Sequence, residues 1–353
     1  MKLTLDLSPS AVQDLINIET GLFYPLKGFM TSHDYHSVVD RMTLSNGSIW
    51  TIPITLDVNH AMFLMAADTS RLYFTFGGRE IGFMKIEDCF RARQSDVRKV
   101  YGTEDLRHPG VGLEAARNEY RIGGATTLLD RRLMRRSLLP EKTRKIFRRR
   151  GWKTIAGFQT RNPIHNAHEY IQRACLERCD AIFINPTIGW KQPNDFSEQA
   201  IRAAYATMIR DFYPAQRVHF AFIKMPTRYA GPRDAVFHAI LRRNLGCTHF
   251  VIGRDHGGVG GYYGHYEAHD LARRLQSRGN LGIELLLFKE PYHCLSCGMV
   301  VTERTCGCDI KNRVLISGGK IRKTLSLGEK PDKILMRPEI AMSVIRLGKK
   351  MFV

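Results

Sequence analysis

Three observations predict an α/β fold: a doubly wound parallel sheet, preceded by a mostly β module and followed by a small helical segment. From residue 152 onward, short apolar runs alternate with helical stretches. Before about residue 128 the chain reads as short strands and turns, and after residue 317 it reads as two helical pieces. A chain of 353 residues is long enough for two or three domains, each with its own core.

In the first segment the strand candidates are Ile49-Trp50-Thr51-Ile52-Pro53-Ile54-Thr55-Leu56-Asp57-Val58 and Leu72-Tyr73-Phe74-Thr75-Phe76, with Gly77-Gly78 and Gly123-Gly124 as turn signals. Ten basic residues lie between Arg131 and Arg150, around Leu139-Pro140-Glu141, and read as the solvated face of a connecting helix. Buried strands are expected at Thr154–Phe158, Ala181–Asn185, Val218–Ile223, Thr248–Ile252 and Ile283–Phe288. Helices are expected at His165–Cys179, Glu198–Asp211 and Ala235–Leu245. Continuous apolar strands alternating with helices imply a parallel sheet covered on both faces, with the ligand at the carboxyl ends of the strands. In the tail, Gly328 and Pro331 separate two helices, and Arg337-Pro338-Glu339 opens the second.

Lys and Arg number 53 against 34 Asp and Glu, a formal charge of +19. That surplus calls for an anionic partner, whether nucleic acid, nucleotide, inorganic anion or anionic surface. An apolar share of 44% and a charged share of 25% exclude disorder, collagen and a small disulfide scaffold. No apolar run of about 18 residues is present to cross a bilayer, and Met1-Lys2-Leu3-Thr4-Leu5-Asp6 lacks a signal-peptide pattern. A cytoplasmic protein with no membrane partner is therefore expected. Four of the eight cysteines crowd together as Cys294-x-x-Cys297, eight residues, then Cys306-x-Cys308. That spacing suits a tetrahedral structural Zn2+ better than disulfides. A closed four-ligand site leaves no open position for catalysis.

The segment Gly157-Phe158-Gln159-Thr160-Arg161-Asn162-Pro163-Ile164-His165-Asn166-Ala167-His168-Glu169 follows the first strand of the α/β region and opens a helix. There, free backbone N–H groups and the helix dipole favour an anion. His165 and His168 are three apart and share a helix face, and Arg161 adds a cationic fork. The set fits a tetrahedral oxyanion. A second cluster, Ile252-Gly253-Arg254-Asp255-His256-Gly257-Gly258-Val259-Gly260-Gly261-Tyr262-Tyr263-Gly264, follows the fourth strand, and its glycines let backbone amides approach a phosphate. Neither a G-x-x-x-x-G-K-[ST] loop nor a G-x-G-x-x-G turn occurs, so a P-loop kinase and a standard dinucleotide fold lack support.

Gln159-Thr160-Arg161-Asn162-Pro163-Ile164-His165-Asn166-Ala167-His168 resembles the Q-x-R-N-P-x-H-x-x-H signature of the ATP sulfurylase (sulfate adenylyltransferase) family. Gly253-Arg254-Asp255-His256-Gly257-Gly258-Val259-Gly260 resembles its second signature, with Gly257 where alanine is usual. The likeness extends to Pro25-Leu26-Lys27-Gly28-Phe29-Met30, Trp50 to Val58, His108-Pro109-Gly110-Val111, Arg228-Tyr229-Ala230-Gly231-Pro232-Arg233 and Ile316-Ser317-Gly318. The resemblance implies three domains: a PUA-like β domain with a basic linker helix over 1–150, a Rossmann-like nucleotidyltransferase domain carrying the zinc knuckle over 151–312, and a small C-terminal helical domain over 313–353. It also implies that ATP and sulfate give adenosine 5′-phosphosulfate and pyrophosphate, with Mg2+ arriving on ATP, in a homo-oligomer with no nucleic-acid partner.

By the same resemblance Gln159, Arg161 and the backbone at Gly257 bind sulfate. Thr160, Arg161 and Asn162 form the catalytic loop, and His165 and His168 brace the phosphate oxygens. Gln159 to Asn162, Gly253, Arg254, Asp255, His256 and Val301 hold ATP. Gln192 stands where relatives often have lysine, although Lys191 is adjacent, and Gly319 replaces a threonine expected to help cap the tail helix. Two other readings stay open: an H-x-x-H nucleotidyltransferase with a different acceptor, and a basic nucleic-acid-binding protein with a degenerate site.

Overall fold

Seven strands, β1 (Thr4–Asp6), β2 (Gly28–Phe29), β3 (Leu56–Val58), β4 (Arg71–Phe76), β5 (Arg79–Lys85), β6 (Asp88–Arg91) and β7 (Tyr120–Leu128), form one sheet. Its order is β1-β4-β5-β7-β2, and β7 also takes β3 and β6. The β4–β5 hairpin forms because Leu72, Phe74, Ile81 and Met84 bury one face, and because Gly77 and Gly78 both accept the positive φ that a tight two-residue turn demands. Five helices accompany the sheet: α1 (Pro9–Glu19), α2 (Ser32–Arg41), α3 (His60–Ala67), α4 (Asp96–Tyr101) and α5 (Pro109–Ala115). The expected strand over residues 49–58 is strand only at Leu56–Val58. Pro53 has no N–H to give a ladder, and Trp50 turns its indole N–H back onto the Ile52 carbonyl at 2.7 Å. The basic stretch forms α6 (Pro140–Arg149), which buries Thr143 and Phe147 and exposes its cations.

This computed structural model describes residues 2–189, 194–279 and 281–353. They divide into two compact units. One runs as far as Ile146 and adds Lys224–Gly246 and Asp255–Glu284; the other comprises Phe147–Ile223, Cys247–Arg254 and Leu285–Val353. After α6 the chain alternates β8 (Ile155–Phe158), α7 (Asn166–Arg178), β9 (Ala181–Ile184), the short β10 (Thr187–Ile188), α8 (Glu198–Asp211), β11 (Val218–Phe220), the short β12 (Ile223–Lys224), α9 (Pro232–Asn244), β13 (His249–Ile252), α10 (Glu267–Arg278) and β14 (Glu284–Leu287). The five-stranded sheet has the order β11-β9-β8-β13-β14, and β8 lies parallel to both β9 and β13. The order reverses between β8 and β13, the switch point of a doubly wound sheet.

Three further strands, β15 (Tyr292–Cys294), β16 (Met299–Val301) and β17 (Arg313–Leu315), pair antiparallel around β15. The tail helices α11 (Gly318–Ser326) and α12 (Pro338–Ile345) share an apolar core with α7 and α8, built from Ile171, Cys175, Ile201, Met208, Ile321, Leu325, Ile340 and Val344. Each such side chain stabilises by about 1.5–3 kcal/mol when fully buried, so the tail is held by packing. In the first unit, α9 joins the N-terminal module: Phe237 packs against Trp50 and Phe23 at ring distances of 5.3 and 5.5 Å. The Arg233 guanidinium donates to the carbonyls of Val38 and Val39 at 3.1 and 2.8 Å.

Candidate active site

The β8–β13 register places Ala156 opposite His249 and Gly157 opposite Phe250. Both strands run the same way, so the segment starting at Gln159 and the segment starting at Gly253 leave the sheet side by side at its carboxyl edge. That edge, where the strand order reverses, is where doubly wound sheets take their ligands.

Pro163 and Ile164 lead into α7, and His165 is its N-cap, with Nδ1 accepting the His168 N–H at 3.4 Å. Acceptance at Nδ1 leaves the proton of a neutral ring on Nε2, so His165 carries an N–H donor free of the cap. The His165 and His168 rings stack at 3.8 Å. Burial pushes His165 down to about 4. His168 lies well below the ordinary histidine range, first through burial and then through the nearness of His165. At neutral pH both are uncharged donors. The His168 Nδ1 atom is buried and has no hydrogen-bond partner among the described residues.

Thr160 is buried, and its hydroxyl both accepts the Asn162 N–H at 3.0 Å and reaches the Asn162 carbonyl at 3.3 Å. This pins the turn that presents Arg161, which is exposed and has no ion-pair partner among the described residues. The Gln159 amide nitrogen donates to Thr187 Oγ1 at 3.3 Å. The loop therefore offers one unneutralised guanidinium among neutral donors, a set that can hold an oxyanion without a nucleophile of its own.

Several supporting residues escape sequence reasoning. The buried Glu169 takes Arg337 through two hydrogen bonds of 2.6 and 2.7 Å and Arg173 through one of 2.7 Å. Although burial opposes it, these hydrogen bonds and the two positive charges hold the Glu169 carboxyl below the usual range. Asn166 donates to the carbonyls of Lys333 and Ile334 at 2.8 and 2.9 Å. Arg322 reaches Asn162 Oδ1 at 3.4 Å and pairs with Asp195 at 3.6 Å. A charge at Glu169 on a helix face was the sole sequence signal, since a link across 168 residues leaves no local pattern. Gly319 costs α11 no cap: the Ser317 hydroxyl accepts the Lys320 N–H at 3.4 Å.

The second segment passes from one compact unit to the other. Gly253 and Arg254 belong with the parallel sheet, and Arg254 pairs with Glu290 at 2.5 Å. Asp255, His256 and Gly257 belong to the first unit. There Asp255 adopts φ 52° and accepts His265 Nδ1 at 2.9 Å, while His256 Nε2 lies 3.1 Å from His238 Nδ1. Gly257 has φ 77°, and a Cβ on it would stand 2.4 Å from the Gly231 carbonyl oxygen. Alanine, the usual residue in the resembled signature, does not fit this backbone. Val301 is buried at the end of β16, opposite Tyr292. Lys191 and Gln192 lie outside the described residues.

A family model described as ATP-sulfurylase matches residues 135–347, and one described as a PUA-like domain matches residues 2–131. The chain belongs to the ATP-sulfurylase family. It is 42% identical over 344 residues to a sulfate adenylyltransferase of Hyperthermus butylicus, covering 96% of this chain and 88% of that one. It is 41% identical over 341 residues to a sulfate adenylyltransferase of Chloroflexus aurantiacus, covering 96% and 89%. Among solved structures, a hexameric APS kinase from Thiobacillus denitrificans superposes with a TM-score of 0.70 at 22% identity. That match covers 98% of this chain but 63% of the other, and it speaks to fold alone. No helix among the described residues of this family member is long and apolar enough to cross a membrane.

The four clustered cysteines meet at one end of the β15–β17 sheet, with all four sulfurs within 4.8 Å of one another. Cys297 Sγ lies 3.6 Å from both Cys306 Sγ and Cys308 Sγ. Four thiolates at about 2.3 Å from a tetrahedral zinc stand about 3.8 Å apart, so the donor set fits that ion. Among the described residues no comparable group of carboxylates and histidines gathers for a second metal.

Proposed function

We propose that this family member catalyses sulfate adenylyltransfer: a sulfate oxygen attacks the α-phosphorus of ATP in line, and pyrophosphate leaves as adenosine 5′-phosphosulfate forms. The observation that carries this reading is the parallel β8–β13 pairing, which brings two anion-binding segments to one sheet edge at the strand-order reversal. Likeness over nearly the whole chain to enzymes named sulfate adenylyltransferase supports it.

Sulfate arrives ionised and needs no base; the protein's task is to align two anions and meet the charge that builds on the phosphorus. Gln159 and Arg161 hold sulfate, together with the Gly257 N–H. The Thr160 hydroxyl fixes the Arg161–Asn162 turn, and Arg322 steadies Asn162. Neutral His165 and His168 donate to phosphate oxygens. Gly253, Arg254, Asp255, His256 and Val301 hold the nucleoside part. Mg2+ travels on ATP and neutralises its phosphates. Cys294, Cys297, Cys306 and Cys308 hold a structural Zn2+, which ties β15 to the loop after β16. In this reading residues 1–150, 151–312 and 313–353 are the PUA-like, nucleotidyltransferase and helical tail domains of a cytoplasmic homo-oligomer. The same site serves the reverse reaction.

The test is sulfate-dependent release of pyrophosphate from ATP, repeated with selenate and molybdate. ATP–pyrophosphate exchange that ignores sulfate would instead point to another acceptor.

A further inference from the structure

Three sequence motifs have no task in the reading above: His108 to Val111, Arg228 to Arg233, and the tyrosines after the second signature. Within the first unit they converge on Tyr263. Its hydroxyl lies 2.9 Å from the Tyr101 carbonyl, 3.2 Å from the Tyr229 carbonyl and 3.0 Å from His108 Nε2. His108 is fully buried, and its Nδ1 accepts the Val111 N–H at 3.2 Å, which puts the proton of the neutral ring on Nε2. His108 therefore donates to the Tyr263 oxygen, and Tyr263 donates onward to a carbonyl.

The ring of Tyr263 does a second job. It lies where a side chain on Gly231 would be, since a Cβ there would come within 2.6 Å of three ring atoms. Tyr229 and Gly231 both hold positive φ, 60° and 53°, and such a conformation at a tyrosine persists only when the surroundings impose it. The Gly231 carbonyl in turn fills the space beside Gly257, 2.4 Å from where its Cβ would stand. Ring, carbonyl and Gly257 form a stack in which each layer fixes the next.

We propose that Tyr263 is a positioning residue for sulfate: it holds the 229–231 segment against Gly257 and so aims the Gly257 N–H at the oxyanion. The glycine that replaces the family's usual alanine is the counterpart of this close stack. The inference rests on assigning the Gly257 N–H to sulfate.

The experiment measures KM for sulfate, KM for ATP and kcat in pyrophosphate release, with circular dichroism to establish folding, for Gly257→Ala, Tyr263→Ala, Tyr263→Phe and the double variant Gly257→Ala/Tyr263→Ala. Losing one hydrogen bond to a charged ligand corresponds to roughly a ten- to hundredfold rise in sulfate KM, expected for Gly257→Ala and Tyr263→Ala. Tyr263→Phe keeps the ring and should raise it only a few fold. In the double variant the 229–231 segment can retreat from the new methyl group, so its sulfate KM should be no worse than that of Gly257→Ala, an interaction that two unrelated structural defects would not produce. Unchanged sulfate KM in folded Gly257→Ala and Tyr263→Ala, or effects that multiply in the double variant, would overturn the proposal. If Tyr263→Ala fails to fold, a Tyr263→Phe variant with the wild-type sulfate KM overturns it. A wild-type protein that releases no pyrophosphate with sulfate would sink the functional reading and this inference with it.

Discussion

Replacing His165 separates its two roles, because one residue type can keep the first while removing the second. His165 caps α7 through Nδ1, and in the proposed mechanism its Nε2–H donates to a phosphate oxygen. Asparagine is among the best N-caps, whereas alanine forfeits about 0.5–2 kcal/mol of cap stability. For a protein of this size each kcal/mol lowers Tm by about 2–4 °C, so His165→Ala should melt several degrees early and His165→Asn close to wild type. Both lose a preorganised donor to the charge that builds in the transition state, worth about a hundred- to thousandfold in kcat. Initial rates of pyrophosphate release at saturating ATP and sulfate, set beside thermal melts, give both numbers. A His165→Asn enzyme turning over at the wild-type rate would refute the donor role, whatever its Tm.

Arg161 is exposed and unpaired among the described residues, so Arg161→Ala should leave Tm unchanged while lowering kcat/KM for sulfate at least a hundredfold; equal loss of stability and rate would argue against a binding role. Glu169→Gln leaves Arg337 and Arg173 without their carboxylate; since both arginines are partly exposed, the expected cost is about 1–2 kcal/mol, read from urea unfolding. Removing zinc with a chelator, or making Cys297→Ser, should lower Tm and release close to one zinc per chain, and metal analysis finding none would remove that assignment. His165 is buried and neutral, with a folded pKa of about 4 against 6.5 when free. The unfolded chain therefore binds the proton first, so stability present above pH 6.5 is lost as pH falls toward 4, by up to roughly 3 kcal/mol, and His165→Asn should flatten that slope in unfolding midpoints measured from pH 7.5 to 4.5.

The alternation of apolar runs with helices was legible because the inner strands β8 and β9 are buried along their whole length and β13 over three of its four residues, and the motif at residues 159–168 stood out because its chemistry is local. What lay hidden was whatever depends on distant partners. The Glu169–Arg337 pair, the Asn166 clamp on residues 333 and 334, and the Arg322–Asn162 contact each join segments more than 150 residues apart. The early helices were missed for a different reason. Residues 9–19 carry a helical apolar face between Pro9 at the first turn and Gly21 beyond the end, yet the nearby strands and turn signals drew the reading toward β structure.

The surplus charge of +19 also divides differently from what composition implies. Arg254, Arg322 and Arg337, all near the signature segments, are engaged by Glu290, Asp195 and Glu169. In the linker, Arg132 pairs with Asp130, Arg144 donates to the Asn244 carbonyl and Arg150 to the Val218 carbonyl, while the remaining cations there face solvent. Arg161 in the first signature has no ion-pair partner among the described residues, and burial keeps the histidines of the same signature neutral. For two anionic substrates this economy has a kinetic logic. A densely cationic pocket would bind sulfate and ATP tightly before reaction, and stabilisation that is equal in ground and transition states leaves kcat unchanged. In the proposed mechanism the neutral imidazole donors gain most when charge accumulates on the phosphate oxygens, so their contribution would fall in the transition state, where it accelerates the reaction.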